Sequence, residues 1–199
     1  VRVLVACEFS GIVREAFKAK GHDAWSCDLL PTEIPGQHIQ GDVLAILNDG
    51  WDMMIAHPPC TDLAVCGAPS FKYKQEDGRQ QEAIDFFMKF VNAPVPKIAI
   101  ENPICIMSSH YRKPDQIVQP CFFGDADSKK ICLWLKGLSP LYWGELLTNV
   151  VLPEDRIFRS KKTKSGFSRY SAIHEKKNDG HSRSRFFQGV ANAMANQWG

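Results

Sequence analysis

Apolar residues fall in short unbroken blocks separated by helical or polar stretches. Arg2-Val3-Leu4-Val5-Ala6 is the first block. It reads as a parallel strand covered on both faces, since a half-solvated strand would alternate. Ser10-Gly11 then opens a helix with Ile12, Val13, Ala16 and Phe17 on its apolar face, and Gly21 ends it. Asp23 to Cys27 predicts a second strand, closed by Asp28 and later Pro31. A loop rich in Pro, Gly and His leads to Gly41-Asp42-Val43, a short helix at Ile46-Leu47 and a strand from Met53 to Ala56. The long polar stretch after Cys60 reads as a lid more than a packed element. Glu82 to Asn92 predicts a helix whose Ala83, Phe86, Phe87 and Phe90 face the core. Ile98 to Ile100 is another strand, and Ile117–Phe123 with Ile131–Leu135 reads as a closing strand pair. A last helix, Val190 to Gln197, carries Trp198 as a docking aromatic. Strands alternating with helices predict one α/β domain over residues 1–199. Its sheet should be mostly parallel and twisted, flanked by helices, with an antiparallel closing strand.

Composition adds three constraints. At 199 residues the chain is long enough for one domain with its own core. No apolar run nears the roughly 18 residues needed to span a bilayer, and the chain opens directly on a strand, so neither a membrane nor a secretory leader is expected. The seven cysteines are odd in number, mostly inside apolar blocks and without zinc-type spacing. Buried thiols in a reducing cytosol, with no metal, suit that pattern. The formal charge of +2 hides an asymmetry: residues 156–185 hold 10 Lys/Arg against 2 Asp/Glu, while residues 1–155 hold 14 against 20. One basic segment on an acidic body points to a polyanionic partner, with a solvated loop as the plainer reading.

The candidate chemistry sits where strands end. Met53 to Ala56 runs into His57-Pro58-Pro59-Cys60, and two prolines stop the strand and stiffen the turn that carries the thiol. Lys97 to Ile100 ends in Glu101-Asn102-Pro103. The carboxyl edge of an open α/β sheet is where ligands bind, so a nucleophile and an acid would meet there. His57 beside the same turn reads first as a structural histidine and second as a base. Three features precede the thiol in an order that suits a nucleotide-like cofactor: Cys7-Glu8-Phe9-Ser10-Gly11 after the first strand, Asp28 after the second, and Gly41-Asp42. The first loop lacks G-x-G-x-x-G, which disfavours a dinucleotide.

These residues resemble the DNA cytosine-5 methyltransferases, and most closely the short phage-type members. Phe9-Ser10-Gly11 is similar to their first cofactor motif, and Asp28 and Asp42 fall where the second and third place acids. Pro58-Pro59-Cys60 resembles the nucleophile motif and Glu101-Asn102 the catalytic Glu-Asn motif. Ser128 to Trp134 is similar to a strand motif that normally carries arginines, and Gln188 to Ala193 to the last motif, a helix returning over the cofactor. The Gln-x-Arg-x-Arg signature is absent, and only Gly137 to Ser184 stands where relatives insert a target-recognition region.

The resemblance implies a Rossmann-like class I methyltransferase domain using S-adenosylmethionine on DNA, in a bacterial cytosol or phage-infected host. The basic segment would lie at 138–185 and a C-terminal helix at 188–197 near the cofactor. Self-association is left open. By the same resemblance Cys60, Glu101 and Asn102 are catalytic. Cys7, Phe9, Ser10, Gly11, Asp28, Asp42, Pro58 and Asn192 would hold the cofactor. Lys129, Lys130, Arg156, Arg159, Lys161, Lys162, Arg183 and Arg185 would hold nucleic acid. A Cys60 thiolate, its pKa lowered by neighbouring donors or cations, would add to carbon 6 of cytosine so that carbon 5 takes a methyl group. Glu101 would hold the base by ring nitrogen 3. The rivals are an amino-methyltransferase, a pyrimidine-modifying enzyme acting on a nucleotide or adding another one-carbon group, and a catalytically degenerate DNA-binding or assembly module.

Overall fold

The computed structural model describes residues 1–125, 127–143 and 184–199. Within them run seven strands: β1 (Arg2–Ala6), β2 (Asp23–Asp28), β3 (His38–Gln40), β4 (Met53–Ala56), β5 (Lys97–Pro103), β6 (Gln116–Val118) and β7 (Ile131–Lys136). The α-helices are α1 (Ile12–Lys18), α2 (Phe71–Glu76), α3 (Arg79–Val91), α4 (Met107–His110) and α5 (Gln188–Trp198). The strands join in one sheet, ordered β3-β2-β1-β4-β5-β7-β6. β1 to β5 are parallel, and β7 lies antiparallel between β5 and β6. This is the mostly parallel α/β sheet with an antiparallel closing strand that the apolar blocks predict.

Alternation along the strands divides the core in two. Val3, Val5, Met53, Ile55 and Ala99 face α1 and α5, whereas Leu4, Ala6, Met54, Ala56, Ile98 and Ile100 face α3 through Ile84, Phe87 and Phe90. Residues on both faces are buried, which is why the strands read as unbroken apolar runs. Trp198 docks as expected, its Nε1 donating to the Ser139 carbonyl at 2.8 Å.

Two expectations fail for identifiable reasons. The predicted strand 117–123 stops at Val118, because Pro120 has no N–H for the ladder, and Pro120–Phe123 turns into a 3-10 helix. The stretch after Cys60 is folded rather than an open lid. Val65–Ser70 is 3-10 and α2 follows. Polar side chains tie it down: buried Lys74 meets Asp62 Oδ1 at 3.1 Å, and Gln80 Nε2 donates to the Asp62 backbone carbonyl at 3.3 Å. Buried Leu63 anchors the loop from below.

The chain moves outward from β1 to β2 and β3, then returns to β4 on the other side. Strand order therefore reverses between β1 and β4, and in open α/β sheets the carboxyl edge at such a reversal is where ligands bind.

Candidate active site

Register places four functional candidates in one row. Ala6 stands opposite Cys27 on β2 and Ala56 on β4, and Ala56 opposite Ile100 on β5. The next residue on each strand is Asp28, Cys7, His57 or Glu101, so these four line the carboxyl edge in that order across the sheet. Asn102 and Pro103 continue pairing with β7, which keeps the Glu101 backbone rigid.

The loop bearing Cys60 is laced to the segment after β5. The Cys60 carbonyl accepts from the Leu63 and Ala64 amides at 3.1 and 2.8 Å. The Val65 amide donates to the Ile104 carbonyl at 3.0 Å, and the Ile106 amide to the Leu63 carbonyl at 3.1 Å. Ala64 and Cys105 form a β-bridge between the same segments. Buried Asn102 donates from Nδ2 to the Pro58 carbonyl at 2.8 Å. The thiol and the carboxyl are thus set by one hydrogen-bonded unit. They lie within electrostatic reach of each other, since Glu101 raises the pKa of Cys60.

Burial is the main reason the Cys60 pKa rises; Lys129 opposes it, and Glu101 and Cys66 add to it. The expected depression is therefore absent, because burial outweighs the Lys129 charge. Lys129, half-buried at the entry to β7, is the side chain that supplies that cation.

On the other side of the row the backbone of Cys7 is in the left-handed region, with φ of 58°. A side-chain-bearing residue there is strained, and such strain collects at sites that present backbone to a ligand. Burial and the charges of Asp28 and Asp42 push the Cys7 thiol upward, so both acids flank this loop. Asp28 accepts from the Leu30 amide at 2.9 Å and Asp42 from the Leu44 amide at 2.9 Å, each with its Oδ1. Phe9 and Ser10 are buried and shape the loop from within. Gly11, at φ of 77°, leads into α1.

The remaining predicted residues scatter. Lys130 is exposed. Arg185 Nη2 bonds Glu33 Oε1 at 2.6 Å, and the Glu33 amide donates to the Phe9 carbonyl at 2.9 Å. Asn192 is exposed on α5 and accepts from Gln188 at 2.9 Å. Arg156, Arg159, Lys161, Lys162 and Arg183 lie outside the described residues.

Three residues beside this edge carry no strong sequence signal. Buried Glu8 accepts from the Val13 amide at 2.7 Å, the Arg14 amide at 3.3 Å and Ser10 Oγ at 3.1 Å. It caps α1 from outside, where Gly11 has no side chain to do so. Fully buried Arg14 ties α1 to Ser26 Oγ at 2.9 Å, Thr32 Oγ1 at 3.1 Å and the Ile34 carbonyl at 2.5 Å. Phe186 lays its ring 4.6 Å from that of His57. Glu8 stands in the candidate loop after β1 without a role of its own there, and only the lack of a capping side chain at Gly11 hints at one.

No family model and no curated protein matches the chain. The chain is similar to a solved structure described as a proposed DNA modification methyltransferase encoded within a prophage (E. coli), with a TM-score of 0.48 and 16% identity. The match covers 70% of this chain and 49% of that one, so the chain spans about half the neighbour's length.

Proposed function

We propose that the protein is an S-adenosylmethionine-dependent methyltransferase that modifies carbon 5 of cytosine in DNA through a covalent bond to Cys60. The observation that carries this reading is the pairing of the Cys60 loop with the Glu101 strand, beside a strained, acid-flanked loop at the switch point. A nucleophile and an acid held by one rigid unit suit addition to a ring whose charge must be neutralised elsewhere on the same ring.

The cofactor side fits a cation without phosphates. The first amides of α1, where a pyrophosphate would bind, are occupied by the Glu8 carboxyl. Asp28 and Asp42 add negative charge at the same edge, which favours a sulfonium over a phosphate ester. Leu29, 73% exposed next to Asp28, offers an apolar surface to a flat purine. Asp28 and Asp42 would take the ribose and adenine, and the Cys7–Gly11 backbone would approach the donor. When bound, that group supplies the electrophilic methyl.

The residues of this chain do the rest. Cys60 loses its proton and its sulfur bonds carbon 6, which makes carbon 5 nucleophilic. Glu101 neutralises the charge that develops at ring nitrogen 3. Once carbon 5 carries the methyl group, its proton passes to solvent, the electron pair of that bond re-forms the ring double bond, and the sulfur–carbon 6 bond breaks to release the Cys60 thiolate. Lys129 favours the thiolate needed for the first step. The basic residues of 156–185 would meet the phosphates, offsetting the few kcal/mol needed to extrude a paired base.

A non-catalytic DNA-binding module is the second reading, and burial holding Cys60 as a neutral thiol favours it. Incubation with DNA containing 5-fluorocytosine and S-adenosylmethionine separates the two. The enzyme forms a denaturation-resistant adduct that Cys60→Ser abolishes, and nucleoside mass spectrometry finds 5-methylcytosine with ordinary DNA. Binding without adduct or modified nucleoside selects the module. N4-methylcytosine would select amino-methyl transfer instead.

A further inference from the structure

At the carboxyl end of β4, next to Cys7 in register, stands a largely enclosed imidazole to which the proposed chemistry assigns no step. His57 Nδ1 lies 3.1 Å from Glu101 Oε2, and the two side chains are 11% and 12% exposed. The ring's other nitrogen, Nε2, is buried with no hydrogen-bond partner among the described residues. Glu8 is the second carboxyl in electrostatic reach, but its oxygens serve Val13, Arg14 and Ser10. Phe186 packs against the imidazole at a tilt of 51° and is apolar.

This arrangement selects a tautomer. With the proton on Nε2, the ring would bury an N–H with no acceptor among the described residues. With the proton on Nδ1, the unpartnered atom is a lone pair, and Glu101 Oε2 receives a donor. An orphaned buried N–H is the rarer and costlier of the two. The proton therefore belongs on Nδ1.

Resting on the proposed function, we propose that His57 is a positioning residue for Glu101: its Nδ1–H donates to Oε2, fixes the carboxyl plane, and reserves Oε1 for the pairing edge of the target base. The pairing follows from register, since β4 and β5 place residues 57 and 101 side by side. Pro58 and Pro59 after His57 stop the imidazole from swinging away with a mobile loop. The role differs from that of a general base, because the donating nitrogen faces the carboxyl and leaves substrate contact to Glu101.

Two substitutions divide the ring's nitrogens. An asparagine amide nitrogen reaches about where Nδ1 lies, and a glutamine amide nitrogen about where Nε2 lies. In steady-state methylation of DNA, His57→Asn should stay within about threefold of the parent in kcat. His57→Gln should fall by about 100-fold in kcat with KM for DNA unchanged, the scale of a misplaced reacting group. Equal losses in both variants, or a loss confined to KM, would overturn the proposal.

Nitrogen-15 NMR of imidazole-labelled protein reads the tautomer without any activity. A His57 signal of the Nδ1–H form that changes in Glu101→Gln supports the pairing, and an Nε2–H form overturns it. Should the parent protein neither methylate DNA nor trap fluorocytosine, the functional reading fails by itself, while the NMR result still decides the His57–Glu101 bond.

Discussion

The Asn102 side chain donates to the Pro58 carbonyl across the β4–β5 boundary, at 2.8 Å and out of contact with solvent. That bond ties the turn before the thiol to the strand carrying the carboxyl. Pro58 has a carbonyl but no amide hydrogen to give, so its loop is held by what it accepts. Removing the amide in Asn102→Ala should cost about 1–2 kcal/mol, the scale of one buried hydrogen bond whose acceptor is left unpaired. Urea unfolding measures that loss. Fluorocytosine trapping at saturating DNA should fall by more than the unfolded fraction explains, because the loop geometry is lost as well.

Cys60 gives a titration prediction with two opposite signs. Burial raises its pKa, so the folded protein holds more neutral thiol at pH 8 than a free cysteine would. Alkylation by iodoacetamide, followed at Cys60 by peptide mass spectrometry, should be slower than for a model thiol and should climb with pH beyond the ordinary thiol range. Lys129→Met removes the stabilising cation and should move the profile to higher pH. Glu101→Gln removes a repelling charge and should move it lower. Shifts in the same direction for both would show that neither charge acts on the thiol.

Glu8 links the site to stability. Burial is the main influence and raises its pKa above 4.5, against the opposing pull of His57 and of the Val13, Arg14 and Ser10 hydrogen bonds. An acid whose pKa is higher folded than unfolded contributes stability below its unfolded value. That contribution is lost as pH rises through the folded one. Urea midpoints measured upward from pH 4 should therefore fall for the parent relative to Glu8→Gln. A difference that stays flat with pH would mean that Glu8 titrates alike in both states.

Arg14 should matter to folding more than its place on a short helix suggests. Its guanidinium is fully buried and satisfies Ser26, Thr32 and the Ile34 carbonyl, with Glu15 at 2.8 Å. Arg14→Met keeps much of the volume but strands those partners, at a cost on the order of 3 kcal/mol. Chemical denaturation measures it. A change below about 0.5 kcal/mol, the usual range of surface substitutions, would contradict the buried network.

Sequence alone determined the layer architecture and the edge on which to look. Strands covered on both faces must be apolar throughout, so Val3–Ala6, Met53–Ala56 and Ile98–Ile100 declare themselves locally. Proline and the short polar turn after each strand likewise mark Cys60 and Glu101 as strand-end residues without knowledge of any contact. Tertiary structure decided the rest, because the deciding interactions join positions about 40 residues apart. The lacing of 63–65 to 104–106 turned an apparent lid into a packed support. Register brought His57 against Glu101, and burial overrode the cation expected to ionise the thiol. Local pattern reports which side chains seek the core; which polar groups meet there, and how much water they keep, depends on how the strands pair.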